Sequence, residues 1–275
     1  MSSQHGIIPR LRNAMGQALV ALPENNRLER IWLLAKTDFR KRYNDSSLGL
    51  LWALINPVAQ LFIYYYVFTV IFGTRTENFA LFLFLGLIMW MWFQESTNKG
   101  ITLVEQKRYL LDSIQINKLD IYYASLLSTF LGFLFNFCAY FVCSLFFDIR
   151  ISGLVVLLPL LVFNMAVFII AVKIILSIVH VFIRDITHVW ALAVLMLFWL
   201  SGILFEVNPD ATWKTAILAY LTPILGILNN ARAVLIYGEG FDWGLFLYDW
   251  GYAVVLVLVA LGMMKRYFGR AMEVL

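Results

Sequence analysis

Few residues in this chain of 275 are spaced for catalysis or metal binding. His180 and His188 could share one face of a helix with Asp185 nearby, but no third ligand follows at a spacing typical of a metal site. Two interfacial histidines are the simpler interpretation. An acidic cluster nearer the C-terminus lacks the partner pattern of a catalytic acid and base. Its members are Glu239, Asp242 and Asp249.

Motifs for nucleotide and cofactor chemistry are missing. The sequence has no GxxxxGK[ST] phosphate-binding loop, no GxGxxG, no HExxH and no CxxC. The chain therefore cannot hydrolyse ATP by the phosphate-loop mechanism alone. We predict that it is not an enzyme by itself and that it holds no cofactor and no metal.

The composition excludes both a soluble globule and a disordered chain. Hydrophobic residues make up 62% of the chain and charged residues 14%, whereas soluble domains average roughly 45–50% and 25%. A soluble protein of this size would have too few charges to cover its surface, and disorder requires low hydrophobicity. We predict an all-α integral membrane protein.

Six apolar stretches are long enough to cross a bilayer as helices. Lys173 follows the fourth stretch, and we place it near an interface or in a polar cavity because a lysine at mid-bilayer costs about 2.5–3.5 kcal/mol. A further stretch, 211–237, is divided by Pro223, which predicts an outer re-entrant pair of short helices between the fifth and sixth spans. The six predicted spans are residues 48–72, 79–97, 121–147, 151–172, 189–205 and 246–264.

The positions of the basic residues orient these spans. With six spans and the N-terminus inside, most Lys and Arg residues fall in cytoplasmic segments, which agrees with the positive-inside rule. Both termini are therefore predicted to be cytoplasmic. The basic residues that fall outside are Arg75, Arg150, Lys214 and Arg232.

The cytoplasmic N-terminal segment, residues 1–47, contains an amphipathic helix at about 26–43. Its basic face and its apolar face with Trp32 suit the membrane interface, although a helix packed on protein is an alternative. Arg40, Lys41 and Arg42 would lie near anionic lipid headgroups. The excess positive charge lies in this segment and so points to a membrane surface and not to nucleic acid. Residues 48–275 are predicted to form one membrane domain.

Several segments resemble the permease subunits of polysaccharide ABC exporters, which export O-antigen, capsule and teichoic acid chains. The first is AKTDFRKRYNDSSLGLLWALINP at residues 35–57. Residues 182–186, FIRDI, resemble the Arg-Asp loop between the fourth and fifth spans. Thr222 and Pro223, with Arg232 downstream, resemble the Asn-Pro stretch of the outer re-entrant region, with Thr in place of Asn. The resemblance covers about residues 27–270.

The resemblance implies a complex of two copies of this chain with two copies of a separate ATPase, which would bind ATP and Mg²⁺. The substrate would be a lipid-linked polysaccharide, and the location would be the bacterial inner membrane. The resemblance also assigns residues to ATPase coupling and to an outer gate. The simpler alternatives are a solvated loop in place of the coupling segment and a static plug in place of the gate. The ATPase-coupling residues would be Lys107, Arg108, Tyr109, Arg184 and Asp185, and the outer gate would contain Pro223, Asn229 and Arg232.

Aromatic residues in the first three spans could line the path of a sugar chain. Ring faces carry negative potential and sugar C–H groups a small positive charge, so rings stack on sugars without fixed hydrogen bonds. Aromatic side chains that face lipid are the alternative. The candidates are Phe62, Tyr64, Tyr65, Tyr66, Trp90, Trp92, Phe133 and Phe137.

Two other functions remain open. An ABC permease for a small lipid or drug would have the same architecture, but its path would be more apolar and would not need repeated aromatic belts. An integral-membrane transferase acting on a lipid-linked sugar would need a catalytic carboxylate or histidine near the interface, for which the outer acidic cluster is the candidate.

Overall fold

The computed structural model describes residues 26–43, 49–73, 76–113, 117–147, 149, 153–207, 213–238 and 240–275, and all regular structure in these ranges is helical. Short π-helical turns extend two of the α-helices, at Val67–Ile71 and Ala233–Tyr237, and a 3-10 turn at Gly153–Leu157 precedes another. The α-helices are α1 (Arg27–Tyr43), α2 (Leu51–Tyr66), α3 (Phe79–Ile101), α4 (Leu103–Gln106), α5 (Arg108–Ser113), α6 (Lys118–Ser144), α7 (Leu158–Phe182), α8 (Ile186–Leu200), α9 (Trp213–Leu221), α10 (Pro223–Arg232) and α11 (Trp243–Val274).

Five helical segments in the described ranges are long and apolar enough to cross a membrane, so the chain is a multi-pass membrane protein. The fifth predicted span corresponds to α8, whose 15 residues reach about 22 Å, which is shorter than the roughly 30 Å hydrocarbon core. The six-span topology and the cytoplasmic position of both termini therefore stay predictions. The five segments are Leu51–Ile71, Phe79–Ile101, Lys118–Ser144, Gly153–Phe182 and Trp243–Val274.

The fourth span continues beyond its predicted end at residue 172. Helix α7 runs to Phe182, so Lys173 lies within the helix instead of after it. The lysine is fully buried, and its Nζ donates a hydrogen bond to Ser125 Oγ at 2.8 Å. Gly100 provides the space, since a Cβ there would lie 2.7 Å from Lys173 Cγ. The serine hydroxyl on α6 and the space at the glycine on α3 thus form the polar surroundings of Lys173, and its depth relative to a membrane interface stays a prediction.

Helix α3 forms the centre of the bundle. Every residue from Leu81 to Trp90 is buried, because α3 packs against α2, α6, α7 and α8. Ring packing continues this core toward α7, where Phe93 and Phe168 stack with their centroids 5.5 Å apart. Helix α7 in turn packs along α11. Helices α2, α6, α7, α8 and α10, which carry many of the candidate functional residues, are therefore direct neighbours of α3.

Helix α2 lies at the edge of the bundle and is mostly exposed. Only Ala53 and Pro57 of this helix are buried. Helix α8 has a similar character, because its buried residues are Val194 and Phe198 while Met196 is 65% exposed. Both helices are apolar on the faces that they leave open. These two faces therefore need lipid or another protein surface as a partner.

Helix α1, Arg27–Tyr43, packs one apolar stripe on α6. Leu34 and Ala35 are buried in a cluster with Ala124. Leu28 and Trp32 lie on another side and are 79% and 45% exposed. Protein packing and an outward apolar face thus both occur on the same helix. Its position at a membrane surface stays a prediction.

The stretch that Pro223 divides does form two short helices, α9 and α10. Thr222 has an extended backbone with φ −144° and ψ 150°, as expected for a residue that precedes proline. Proline then begins α10, where its missing N–H costs no hydrogen bond. Residues of α10 are almost all buried. Whether this pair enters the membrane from the outer side stays a prediction.

Candidate functional site

Four of the predicted channel aromatics are buried within the bundle. Trp90, Trp92, Phe133 and Phe137 are each less than 10% exposed. The Trp92 and Phe133 rings stack with centroids 4.6 Å apart, and Phe133 and Phe137 follow at 5.4 Å. Trp92, Phe133 and Phe137 therefore stack on one another, whereas Trp90 packs against Phe93 and Phe198. Their role in a channel stays a prediction.

The other channel candidates lie on the edge helix α2. Phe62, Tyr65 and Tyr66 are 70%, 41% and 60% exposed. Tyr64 points to the neighbouring helix, where its ring is 5.7 Å from Phe198. Aromatic side chains here form an open face of one protomer, which could bind sugar rings, lipid or a second protein surface.

Most of the predicted ATPase-coupling residues are exposed, but Lys107 forms an ion pair with α1. Lys107 Nζ donates to Asp38 Oδ1 of α1 at 2.7 Å. Arg108 pairs with Asp112 at 3.5 Å, but both side chains are largely exposed, and Tyr109 is 69% exposed. The position of Lys107 ties the loop to α1 instead of leaving its charge open to solvent.

Arg184 and Asp185 lie exposed in the turn between α7 and α8. Phe182 and Ile183 beside them are 46% and 58% exposed. One contact joins this turn region to the α4–α5 segment, because His180 Nε2 lies 3.5 Å from Glu105 Oε2. The two predicted coupling segments are thus brought to the same end of the bundle.

Neither His180 nor His188 lies in a group of side chains with the geometry of a metal site. His180 Nδ1 lies 3.3 Å from Thr187 Oγ1, and His188 is exposed. Within the part of the chain that the structure describes, no group of three or more His, Cys, Asp or Glu residues could hold a metal ion.

Asp120 anchors α1 to the bundle, which sequence reasoning missed. Its fully buried carboxylate accepts hydrogen bonds from Arg27 Nε at 2.7 Å and from Arg30 Nη2 at 2.9 Å. Asp120 lies in the first turn of α6, where an acidic residue is common, so nothing in the sequence marks it as a buried anchor. The contact joins residues 93 and 90 positions apart in the chain.

The C-terminal end of α1 has a second anchor. Arg42 forms an ion pair with Glu95 of α3, and Lys99 contacts the same carboxylate oxygen at 2.7 Å. Arg40 and Lys41, the other two predicted headgroup residues, are exposed. One of the three basic residues is therefore engaged by the protein, and two remain available to a membrane surface.

Arg232, predicted in the outer gate, is a buried clamp. Its guanidinium donates to the carbonyls of Gly202 at 2.8 Å, Ile203 at 3.1 Å and Phe82 at 3.3 Å. The Cζ atom also lies 3.4 Å from the centroid of the Phe82 ring. Carbonyls just beyond the end of a helix lack helical partners, and the arginine satisfies those that follow α8. A Cβ on Gly86 would lie 2.7 Å from Arg232 Nη2, so the clamp requires this glycine.

Asn229 and Asn230 connect α10 to neighbouring segments of the chain. Asn229 Nδ2 donates to the carbonyl of Val207 at 3.1 Å. Asn230, which was not predicted, exchanges two hydrogen bonds with the backbone of Asp242, at 3.0 and 2.7 Å. Pro223, the third predicted gate residue, is buried at the start of α10. The gate candidates therefore connect α10 to the segments before and after it.

The two described members of the acidic cluster, Asp242 and Asp249, have different settings. Asp242 caps α11, since its Oδ1 accepts the N–H of Leu245 at 2.9 Å. Asp249 is buried against Gly226 of α10, and neither carboxylate oxygen has a hydrogen-bond partner among the described residues. Glu239 lies outside the described residues. A cap and a buried carboxyl do not form a catalytic pair, which argues against the transferase alternative.

Comparison with known proteins matches most of the chain. The sequence profile of a family described as ABC-2 type transporter matches residues 29–236. An O-antigen export system permease protein RfbA from Myxococcus xanthus is 25% identical over 203 residues, which are 73% of this chain and 78% of that protein. A protein of the same name from Klebsiella pneumoniae is 24% identical over 245 residues, or 88% and 93% of the two chains.

Proposed function

Because this chain belongs to the ABC-2 type transporter family, we propose that it is the transmembrane permease subunit of an ATP-driven exporter of lipid-linked polysaccharide. The observation that carries the proposal is the similarity, over most of both chains, to permeases named for O-antigen export. The five long apolar helices are consistent with such a role. The polysaccharide would be O-antigen-like, and the membrane would be the bacterial inner membrane.

The energy for export would come from two copies of a separate ATPase that binds ATP and Mg²⁺. The missing phosphate-binding loop supports a separate subunit, since this chain cannot cleave ATP by that mechanism. Tyr109, Arg184 and Asp185 would contact the ATPase, together with Arg108. Their exposure at one end of the bundle and the apolar residues beside them support a protein-binding surface.

A second copy of the chain would complete the path for the polysaccharide. The open apolar faces of α2 and α8 are the candidate surfaces, because each chain alone leaves them exposed. Phe62, Tyr65 and Tyr66 would line the channel beside this contact, with Tyr64 behind them. Six spans with both termini in the cytoplasm, and α9 and α10 as the outer gate, complete the proposed arrangement.

Co-purification tests this function. A tagged chain is expressed with the ATPase encoded beside it, and the mass of the complex and its ATP hydrolysis are measured. We expect a four-subunit complex, with ATP hydrolysis reduced in Tyr109→Ala and Arg184→Ala but unchanged in Lys265→Ala, an exposed control. A chain that purifies alone, with no response to nucleotide, contradicts the proposal. Polymer synthesis, assayed separately from export, distinguishes an exporter from a transferase.

A further inference from the structure

An apolar groove of about 790 Å³ runs between α6 and α7. This volume lies in the range of roughly 300–1,000 Å³ that is typical of ligand sites. Buried aromatic rings form part of its wall, among them Trp92, Phe133 and Phe137, which the sequence suggested for a sugar channel. Aliphatic residues of both helices, such as Leu126 and Val162, provide most of the remaining wall.

Arg27 of α1 is the one charged side chain among the described residues that line this groove. Asp120 accepts its Nε, so among the described contacts the two Nη atoms remain for another ligand. Arg30 binds the same carboxylate, which leaves two positive charges on one negative charge at this end. The Arg27 side chain is 51% exposed. This end of the groove therefore attracts an anion, while the rest accepts only apolar groups.

The length of the groove matches a lipid tail. The α6 residues that line it extend from Tyr123 to Phe137, which corresponds to about 21 Å of helix rise. One leaflet occupies about 15 Å, half of the roughly 30 Å hydrocarbon core. The groove thus accommodates an acyl chain over its full length, starting at the arginine. Tyr123 lies near the charged end, where an amphipathic ring fits the headgroup level.

We infer that this groove binds an anionic phospholipid from the leaflet on the α1 side of the membrane. The phosphate contacts Arg27, and an acyl chain lies between α6 and α7 on the stacked rings. The bound lipid contacts α1, α6 and α7 at once and so stabilises the position of α1. Trp92, Phe133 and Phe137 then contact a lipid tail instead of sugar. The inference does not depend on the exported substrate.

Native mass spectrometry of the full chain tests this site. Protein purified in detergent is titrated with phosphatidylglycerol or with zwitterionic phosphatidylcholine, and bound lipids are counted. We expect preferential retention of phosphatidylglycerol, about fivefold weaker in Arg27→Gln, because a basic residue near a lipid headgroup contributes about this factor. Arg27→Lys keeps the charge and should retain the lipid. In Arg27→Gln the buried Asp120 still has Arg30 as a partner, so this variant is expected to fold.

A second pair of variants tests the position of the tail. Ala166→Trp fills the groove and should abolish the retained lipid. Val255→Trp adds the same ring at a 59% exposed position of α11 and should leave retention unchanged. Equal binding of the two lipids together with no effect of Arg27→Gln overturns the inference. The inference is also overturned if the retained species is a polyprenyl lipid. A third contrary result is an Ala166→Trp variant that no longer binds a second copy of the chain but still retains its lipid.

Discussion

The buried carboxylate of Asp120 should control whether α1 stays docked on the bundle. We expect Asp120→Asn to increase the population of undocked α1 without unfolding the spans. The substitution removes the negative charge that balances Arg27 and Arg30 but keeps one oxygen that can accept a hydrogen bond. The ion pairs of Asp38 with Lys107 and of Arg42 with Glu95 remain, so only part of the anchor is lost.

The size of the effect follows from the exposure of the partners. Loss of one partner costs about 3–5 kcal/mol in a fully buried ion pair and about 0–1 kcal/mol at the surface. Asp120 is fully buried, whereas the Arg30 and Arg27 side chains are 12% and 51% exposed. We therefore expect about 2 kcal/mol, which corresponds to a factor of about 30 in the docking equilibrium.

Cysteine accessibility measures this equilibrium. Ala35 lies on α1 and is fully buried against the bundle, so Ala35→Cys reacts with a thiol reagent only when the helix undocks. Cys138 and Cys143 are free and exposed and are first replaced by Ser. Labelling of Cys at position 35 should become about 30-fold faster with Asp120→Asn. Asp112→Asn, which alters only an exposed pair, is the matched control. Equal labelling rates in the two backgrounds would refute the anchor.

Three further variants test the clamp, its glycine and the open aromatic face. Gly86→Ala should destabilise the protein by about 1–3 kcal/mol in thermal unfolding, because the new Cβ meets the Arg232 guanidinium. Gly251→Ala is the control, since there is open space around Gly251. Equal melting temperatures of the two variants would contradict the packing at Gly86. Arg232→Lys should fail to restore the stability lost in Arg232→Met, because a single ammonium nitrogen lacks the planar fork whose two Nη atoms reach the three carbonyls while Cζ lies over the Phe82 ring. Full recovery in a melting assay would exclude the clamp. Tyr66→Ala should slow polysaccharide export in cells while leaving the melting temperature unchanged, because the Tyr66 ring is 60% exposed. Leu258→Ala is the control, since Leu258 is 65% exposed on α11. Unaffected export in Tyr66→Ala would show that Tyr66 does not line the path.

The anchors of α1 give its position a chemical basis. Three ion-paired carboxylates, on Asp38, Glu95 and Asp120, connect this helix to the bundle at both ends. Lys107 belongs to the segment that would face the ATPase, and it contacts Asp38 directly. A movement of that segment would therefore be transmitted to α1 through one ion pair. This connection makes α1 a candidate link between ATP hydrolysis and the membrane surface.

The hydropathy pattern and the position of Pro223 were enough to predict many of the helices of this protein. Long apolar stretches must become helices in a membrane, because the hydrocarbon core leaves no other partner for backbone N–H and C=O groups. In the same way, the amphipathic pattern predicted α1, and Pro223 predicted the division into α9 and α10. The missing phosphate-binding loop likewise followed from residue order alone. Such features depend on local chemistry and need no knowledge of which helices are neighbours.

The end of the fourth span and the partners of buried polar groups were decided only by the tertiary structure. Lys173 looked like a terminus because an isolated lysine is costly in lipid, yet Ser125 and the space at Gly100 allow it inside a helix. Arg232 finds a carbonyl acceptor 150 residues away, at Phe82. The packing of the helices also decided which aromatic rings are buried, because only the rings on the side that faces other helices are covered. Helix neighbours determine these contacts, and residue order along one helix carries no record of them.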